Sequence, residues 1–447
     1  MYKKIISALV TLLIFTSATA QQKVWSLQEC MDYAIKNNLQ VQQQQLDLLD
    51  ADIDIKNAQG ALLPNLSAGA SNTWNNGINQ VFIQSAANPF GQPQRRRQTI
   101  RNSRYNIDTN IPIYNGLQNY NRVQQAKLQK IASQYNIDRL KDDIRINIAN
   151  TYLQILLEQE NLAVLKAQNE ITLEQITRTQ QLIDAGNLPK GDILELEANA
   201  ATNFQNIAVT KNNINVAVNS LKQLLNLPFG GDFAVEKMEA TLDDLSILDN
   251  QVSKILSEVL NNRNEIKFAE QNIEVANKQI EIAKGGFQPS LSGFAGASTA
   301  EFENSENSLE TQFEDNFRYN YGLSLNIPIF SRYQNKNAVS RSKVSVLRSK
   351  FQLEQTKQRL TQNVYQAYLD AQASNKAFEA AKVAVDAQKQ AYEYAKERFE
   401  VGITNSLDFT QAKIQYQNSQ TQLVRSKYDL LFKLKLLELY YNGDLEE

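Results

Sequence analysis

The 447-residue sequence contains no histidine, a single cysteine, Cys30, and three methionines. Without histidine there is no His-based triad, and the commonest general acid/base and the commonest zinc and copper ligand are both missing. Beyond Met1 only Met31 and Met238 remain, so no soft-ligand metal site is visible. No catalytic, cofactor-binding or metal-binding residue is therefore assigned, and an enzyme is not expected. A lone cysteine excludes an intramolecular disulfide, and Cys30 reads as a buried thiol on a helix face. Long apolar runs are scarce too. The one from Ile5 to Phe15 is too short to span about 30 Å of hydrocarbon, so the rest of the chain is either soluble or in the membrane as β-strands. The formal charge is only −2. No basic face gathers to hold phosphate backbones, and nucleic acid is not a partner.

Lys3 and Lys4 precede that apolar run, and Ala18 and Ala20 follow it as an A-x-A-like cleavage site. Residues 1–20 thus predict a secretory signal peptide, with a mature chain from Gln21. Cys30 lies ten positions past the predicted cleavage, not beside it, which argues against an acylated N-terminal cysteine.

The chain repeats itself. AQGALLPNLS at 58–67 answers AKGGFQPSLS at 283–292, an offset of 225. RYNIDTNIPIY at 104–114 answers NYGLSLNIPIF at 320–330, and AGNLPKGD at 185–192 answers VGITNSLD at 401–408, both at an offset of 216. One loop is therefore nine residues shorter in the second copy. The register then holds through a strict heptad: Val364, Ala371, Phe378, Val385, Tyr392 and Phe399, with Ala367, Ser374, Ala381, Gln388 and Ala395 as a second seam. The first-copy equivalents are Ile148, Ile155, Leu162, Asn169, Ile176 and Ile183. A sustained seven-residue spacing makes helices that supercoil left-handedly around neighbours.

From about Gly116 to Ala185, and from about Arg332 to Val401, no proline interrupts the pattern. Each stretch predicts about 100 Å of helix, far beyond an ordinary globular helix. The return path of the first copy is split by Leu227-Pro228-Phe229-Gly230-Gly231 into 192–226 and 251–285; that of the second runs 407–441, and the missing half is 26–60. The predicted organisation is a first repeat over 21–226, an equatorial segment over 227–250, a second repeat over 251–441 and a tail over 442–447.

Each long helix follows a segment of period-two alternation. Tyr319, Tyr321, Leu323, Leu325, Ile327 and Ile329 point one way, against Arg318, Asn320, Gly322, Ser324 and Asn326; Tyr105, Ile107, Thr109, Ile111 and Ile113 stand against Asn106, Asp108 and Asn110. This is the signature of an outer-membrane strand, apolar to lipid and polar to the lumen, although a half-buried strand of a soluble sheet reads the same way. Partner strands begin at Pro64 and Pro289, where the preceding helix must stop. Polar loops are predicted at about 75–103, with Arg95, Arg96 and Arg97, and at about 300–316, rich in Glu. Four strands cannot close a transmembrane barrel, and lipid does not tolerate an open edge. Several chains must share one barrel; three would supply twelve strands.

In this order and duplication the sequence resembles the outer-membrane efflux protein family, the TolC-like channels, over essentially the whole mature chain. The resemblance rests on SLQECMDYAIKNNLQV at 26–41, the Leu/Phe-then-Pro strand starts at 62–64 and 287–289, NIPIY and NIPIF, and the turns Gly186/Asp192 and Gly402/Asp408. It implies an α+β membrane protein: a homotrimeric twelve-stranded outer-membrane β-barrel, four strands per chain, continued by a twelve-helix periplasmic α-barrel. It also implies a passive duct of a tripartite efflux or type I secretion system in a Gram-negative bacterium, contacting outer-membrane lipid. Its partners would be a periplasmic adaptor (membrane fusion) protein and an inner-membrane transporter.

The adaptor would meet the hairpin tips Gly186, Asn187, Leu188 and Gly402, Ile403, Thr404. A periplasmic aperture carries over by position to Asp192, Phe399, Thr404, Asp408 and Gln411. Phe399, Thr404 and Gln411 fall where family members have tyrosine, arginine and aspartate, so the charged lock is expected to be altered. A physical reading stands beside this one: Gly186 and Gly402 as helix C′ residues, Asp192 and Asp408 as favourable charges at helix N-termini. The competing class is a secreted structural or adhesive coiled-coil protein, which would share the signal peptide and heptads but not duplicated alternating strands between helices.

Overall fold

A computed structural model of the chain describes residues 23–85, 88–186, 188–237, 246–249, 251–303, 307–401, 403–404 and 406–442. The predicted signal peptide, Asn187, Gly402, residues 238–245 and 250 of the predicted equatorial segment and the tail from 443 lie outside the described residues. The chain forms two compact units, one of residues up to Leu46, Tyr135–Lys267 and residues from Glu354, the other of Asp47–Gln134 and Phe268–Leu353.

The second unit holds a four-stranded antiparallel sheet of β2 (Asn65–Ser85), β3 (Asn88–Asn115), β5 (Ser290–Phe302) and β6 (Arg318–Asn326), in the order β2-β3-β5-β6. Its register carries the alternation of the sequence across all four strands. Ala68 pairs with Ile107, Ile107 with Ala297 and Ala297 with Tyr319, placing an apolar row on one face. Ser67, Asp108, Gly296 and Asn320 make the polar row beside it. On β6 the apolar row of Tyr319, Tyr321, Leu323 and Leu325 is 61–79 % exposed, too large an apolar face to be left to water. Within this sheet β2 and β6 each keep one unpaired edge, the condition that copies of the chain relieve by pairing edge to edge.

Two predicted loops are largely ordered, which corrects the sequence reading. The residues read as a loop over 75–103 continue both strands, with Asn75 paired to Ile100 and Ile83 to Gln92. Since β5 pairs with β3 only from Asn102 inward, this stretch is a two-stranded extension of the sheet among the described residues. Its sequence lacks an apolar row, and the backbone register runs on through it. In the second predicted loop β5 persists to Phe302, and a short helix, α8 (Leu309–Asp315), is capped by Ser308, whose hydroxyl accepts from the Thr311 N–H. It packs on the sheet through Phe313 against Tyr105, 5.6 Å between rings, and Gln312 accepts from the Phe302 N–H at 2.8 Å. β6 stops at Asn326, so Ile327 and Ile329 lie beyond it; Pro328 has no N–H for a ladder. In β3 the corresponding Pro112 is absorbed at a register shift between Pro112 and Tyr114.

Each strand-to-helix junction needs two successive left-handed residues. In the first copy these are Gly116 (φ 67°) and Leu117 (φ 59°), in the second Arg332 (φ 49°) and Tyr333 (φ 63°). Glycine is required at 116 for a further reason: a Cβ there would stand 2.3 Å from the Gly285 carbonyl oxygen. The second copy carries the same turn on residues that pay for it in strain, about 1 kcal/mol each. Arg332→Gly should therefore stabilise the protein by up to about 1 kcal/mol, read as a raised unfolding midpoint.

The first unit is mainly helical, and the two longest helices lie partly in each unit. The long predicted helices appear as α3 (Gln118–Asp184) and α9 (Gln334–Glu400), with α4 (Asp192–Leu224) and α10 (Ser406–Asn442) returning. Their heptad seams are the sheltered side: Ile148, Ile155, Val364, Ala367, Ala371, Ser374 and Ala381 are all buried. The two half-length helices differ from expectation, because each is broken. Residues 26–60 give α1 (Leu27–Asn37) and α2 (Leu39–Gly60); residues 251–285 give α6 (Val252–Asn262) and α7 (Asn264–Gly285). The breaks fall at Asn38 and Arg263, both with extended ψ (126° and 134°) and, like the repeats around them, 225 positions apart.

α1 is fixed at its start by a capping box of Ser26 and Glu29 and buries Cys30 and Met31 in the main core with Ile148, Tyr152, Leu221 and Leu431. Burial pushes the Cys30 thiol up to about 12, as expected of an unreactive helix-face cysteine. Beside it a short strand, β1 (Val24–Trp25), pairs in parallel with β4 (Ala234–Val235). The Tyr152 hydroxyl, its pKa raised by burial, sits at 3.0 and 2.9 Å from the Trp25 and Glu236 carbonyls, tying both segments to α3. Among the described residues no helix is long and apolar enough to cross a membrane.

Candidate functional site

The ends of the two helix hairpins, α3–α4 and α9–α10, meet in the helical unit around a cavity of about 420 Å³. Gly186 terminates α3 with φ 76° and open space where a Cβ would be, its N–H donating to the Ile183 carbonyl. This is the left-handed helix stop that favours glycine. At the other tip the Ile403 N–H donates to the Arg398 carbonyl at 2.8 Å, closing α9.

Of the residues singled out from the sequence, the structure brings some together and not others. Leu188, Asp192, Phe399 and Thr404 all line the cavity. Phe399 stacks flat on Phe409, with rings 5.0 Å apart and 10° from parallel, and Tyr392 continues the column against Phe409 and Tyr416. The aromatic thus joins α9 to α10 within one hairpin. Asp192, in the first turn of α4, and Asp408, in the first turn of α10, both sit where the helix dipole favours negative charge. Asp408 is exposed and accepts from the Thr404 hydroxyl at 2.9 Å; neither it nor the exposed Gln411 lines the cavity. Ile403 is exposed at the tip. Asn187 and Gly402 lie outside the described residues.

The sequence reading missed two features. Arg178 of α3 holds Glu400, the last residue of α9, at 2.9 Å, and both line the cavity. Neither residue occupies a seam, so the heptad gave no sign of the pair. Lys413 of α10 is buried against α3, with its ammonium on Thr172 and Gln175. Here a signal existed: Lys413 stands four residues after Phe409 and three before Tyr416, a charge at an interior position.

The open-edged sheet with one apolar face and the paired long helix hairpins define a class: an outer-membrane channel subunit that completes its barrel with copies of itself. The chain belongs to the outer membrane efflux protein family, whose model matches residues 31–227 and 255–442. It is 22% identical over 449 aligned residues to outer membrane protein TolC of Salmonella enteritidis, covering 100% of this chain and 87% of the relative. It is 21% identical to alkaline protease secretion protein AprF of Pseudomonas aeruginosa, covering 73% of this chain and 67% of that one. The fold is that of the solved channel CusC, with a TM-score of 0.79, 17% identity and 95% of each chain covered.

This chain is accordingly an outer-membrane channel of a Gram-negative bacterium and not an enzyme. It is a trimer in which twelve strands close the barrel, working with a periplasmic adaptor and an inner-membrane transporter in efflux or secretion.

Proposed function

We propose that the channel is a passive duct whose inner end is narrowed where the hairpin tips meet, with Asp192, Phe399, Thr404, Asp408 and Gln411 around the aperture. The tips at Gly186–Leu188 and Gly402–Thr404 would be the surface offered to the adaptor. The observation that carries this reading is the Arg178–Glu400 pair at 2.9 Å. It ties one hairpin to the other at the place where they must part for the bore to widen. In this reading Phe399 serves the aperture in another way. Stacked on Phe409, it makes α9–α10 move as one piece, and a charge pair elsewhere supplies the tie between hairpins. A role in protein export, as in the relative named for alkaline protease secretion, and a role in small-molecule efflux place the same demands on such a duct.

The test is conductance. Purified trimer added to a planar bilayer should give discrete current steps with low occupancy of the fully open level. Large, permanently open steps from the unmodified protein would reject a closed resting aperture, and the absence of any steps would reject the duct.

A further inference from the structure

A second cavity, of about 400 Å³, lies among α3, α4 and α10. Its distinguishing feature is Lys413. The residue is only 6% exposed, and its ammonium donates to the Thr172 hydroxyl at 3.0 Å and to the Gln175 Oε1 at 2.5 Å. Both acceptors are neutral, and they use two of the three N–H bonds an ammonium has. Among the described residues, no carboxylate and no second cation from α3, α4 or α10 lines the cavity. Its walls combine amides and hydroxyls, among them Asn199, Asn203 and Asn418, with the aliphatic side chains of Leu165, Leu196, Val209 and Ile414. Thr172 is itself held in place, accepting from the Asn203 amide and donating to the Gln168 carbonyl, so this acceptor of Lys413 is fixed rather than free to turn away.

Burying a cation without a counter-charge is costly, and side-chain oxygens alone return only part of its lost hydration. The balance is met either by shedding the proton or by gathering an anion. Burial lowers the Lys413 pKa to about 8, which leaves the ammonium dominant at neutral pH. The space beside it is large enough for an ion with several waters, and its amide N–H groups are donors suited to an anion.

We propose that this cavity is a binding site for a small monovalent inorganic anion of the halide class, held by the Lys413 ammonium and by side-chain amides of α4 and α10. Three such sites per trimer would each join three helices of one chain. The site adjoins the aperture cavity, sharing Leu196 and Thr410 with it, and the Lys413 acceptor Gln175 lines that neighbour; Asp192, Phe399, Thr404, Asp408 and Gln411 line no part of the Lys413 cavity, and no gating step is invoked.

Bromide is the probe. Crystals of the full-length trimer grown or soaked in bromide should show anomalous density at hydrogen-bonding distance from the Lys413 Nζ. In solution at constant ionic strength, bromide replacing gluconate should raise the thermal unfolding midpoint saturably. Half-saturation should need more than about tenfold higher bromide near pH 9.5 than near pH 7, because the ammonium is then mostly deprotonated. K413M should abolish the bromide-specific rise. No anomalous density at Lys413 overturns the proposal, as does a carboxylate of a neighbouring subunit found on its ammonium, or a bromide-specific rise that persists in K413M. If K413M does not assemble, the anomalous map of the unmodified protein decides alone.

Discussion

Arg263→Ala should cost the protein about 3 kcal/mol or more of stability, the loss typical when one partner of a buried ion pair is removed. Arg263 occupies the break between α6 and α7, and its side chain is 9% exposed against 7% for Asp142 of α3, 3.8 Å away. The same guanidinium donates to the Leu439 carbonyl of α10 at 3.2 Å and lies over the Tyr440 ring. One side chain therefore ties the helix break to two further helices. Asp142 has other partners, Arg145 at 3.2 Å and the Asn264 amide at 3.1 Å, so the variant should still fold.

The pH dependence distinguishes a lost charge pair from lost packing. Burial already raises the Asp142 pKa above the ordinary carboxylate value, while Arg263 pulls it down; removing the arginine must raise it further. A carboxyl whose folded-state pKa is raised lowers stability at pH values above that pKa. The penalty fades as the pH falls through it toward the unfolded value. The midpoint of urea unfolding of Arg263→Ala should thus approach that of the unmodified protein on acidification. Arg263→Ala combined with Asp142→Leu should recover much of the loss at neutral pH. A deficit independent of pH and not relieved by the double substitution would show that the arginine acts only through its stem and Tyr440.

How far the sequence reaches can be seen at particular residues. The heptad over Val364–Phe399 was legible because burial is decided by one seam and repeated along a single helix, so the signal accumulates. The sheet faces were legible for the same reason, with lipid on one side and water on the other. The breaks at Asn38 and Arg263 were not, since a single extended residue inside a periodic run changes the hydrophobic pattern very little. Asn37-Asn38 and Asn261-Asn262 were the available hint. The hairpin beyond Asn102 was invisible for the opposite reason: without an apolar face it has no period to read. Among the site residues, Asp192 and Phe399 line the cavity; the turn after Gly186 and the heptad seam made these two positions legible, while their place at an aperture rests on the resemblance. The Arg178–Glu400 pair joins exposed positions on two helices far apart in sequence, and only the packing of the hairpins brings them within reach.

That pair carries the second large effect. Arg178→Ala should raise the occupancy of the open level in planar bilayers about tenfold. Each pair is partly exposed, with side-chain exposures of 62% for Arg178 and 36% for Glu400, so on its own it is worth about 0.5 kcal/mol. A trimer has three, and a concerted opening breaks all of them, giving about 1.5 kcal/mol, close to a factor of ten in an equilibrium. Glu400→Gln should give the same increase, and the double substitution no more than either alone, because both remove one interaction. Salt supplies an independent check. The Debye length falls from about 10 Å at 0.1 M to about 3 Å at 1 M. Open occupancy of the unmodified channel should therefore climb over that range, while that of Arg178→Ala stays flat. Phe399→Ala should behave differently, loosening α9 from α10 without removing the tie to α3, and so broaden the distribution of conductance levels rather than favour the open one. If Arg178→Ala leaves the open occupancy unchanged, the hairpins are held by seam packing alone and the ion pair is incidental to the aperture.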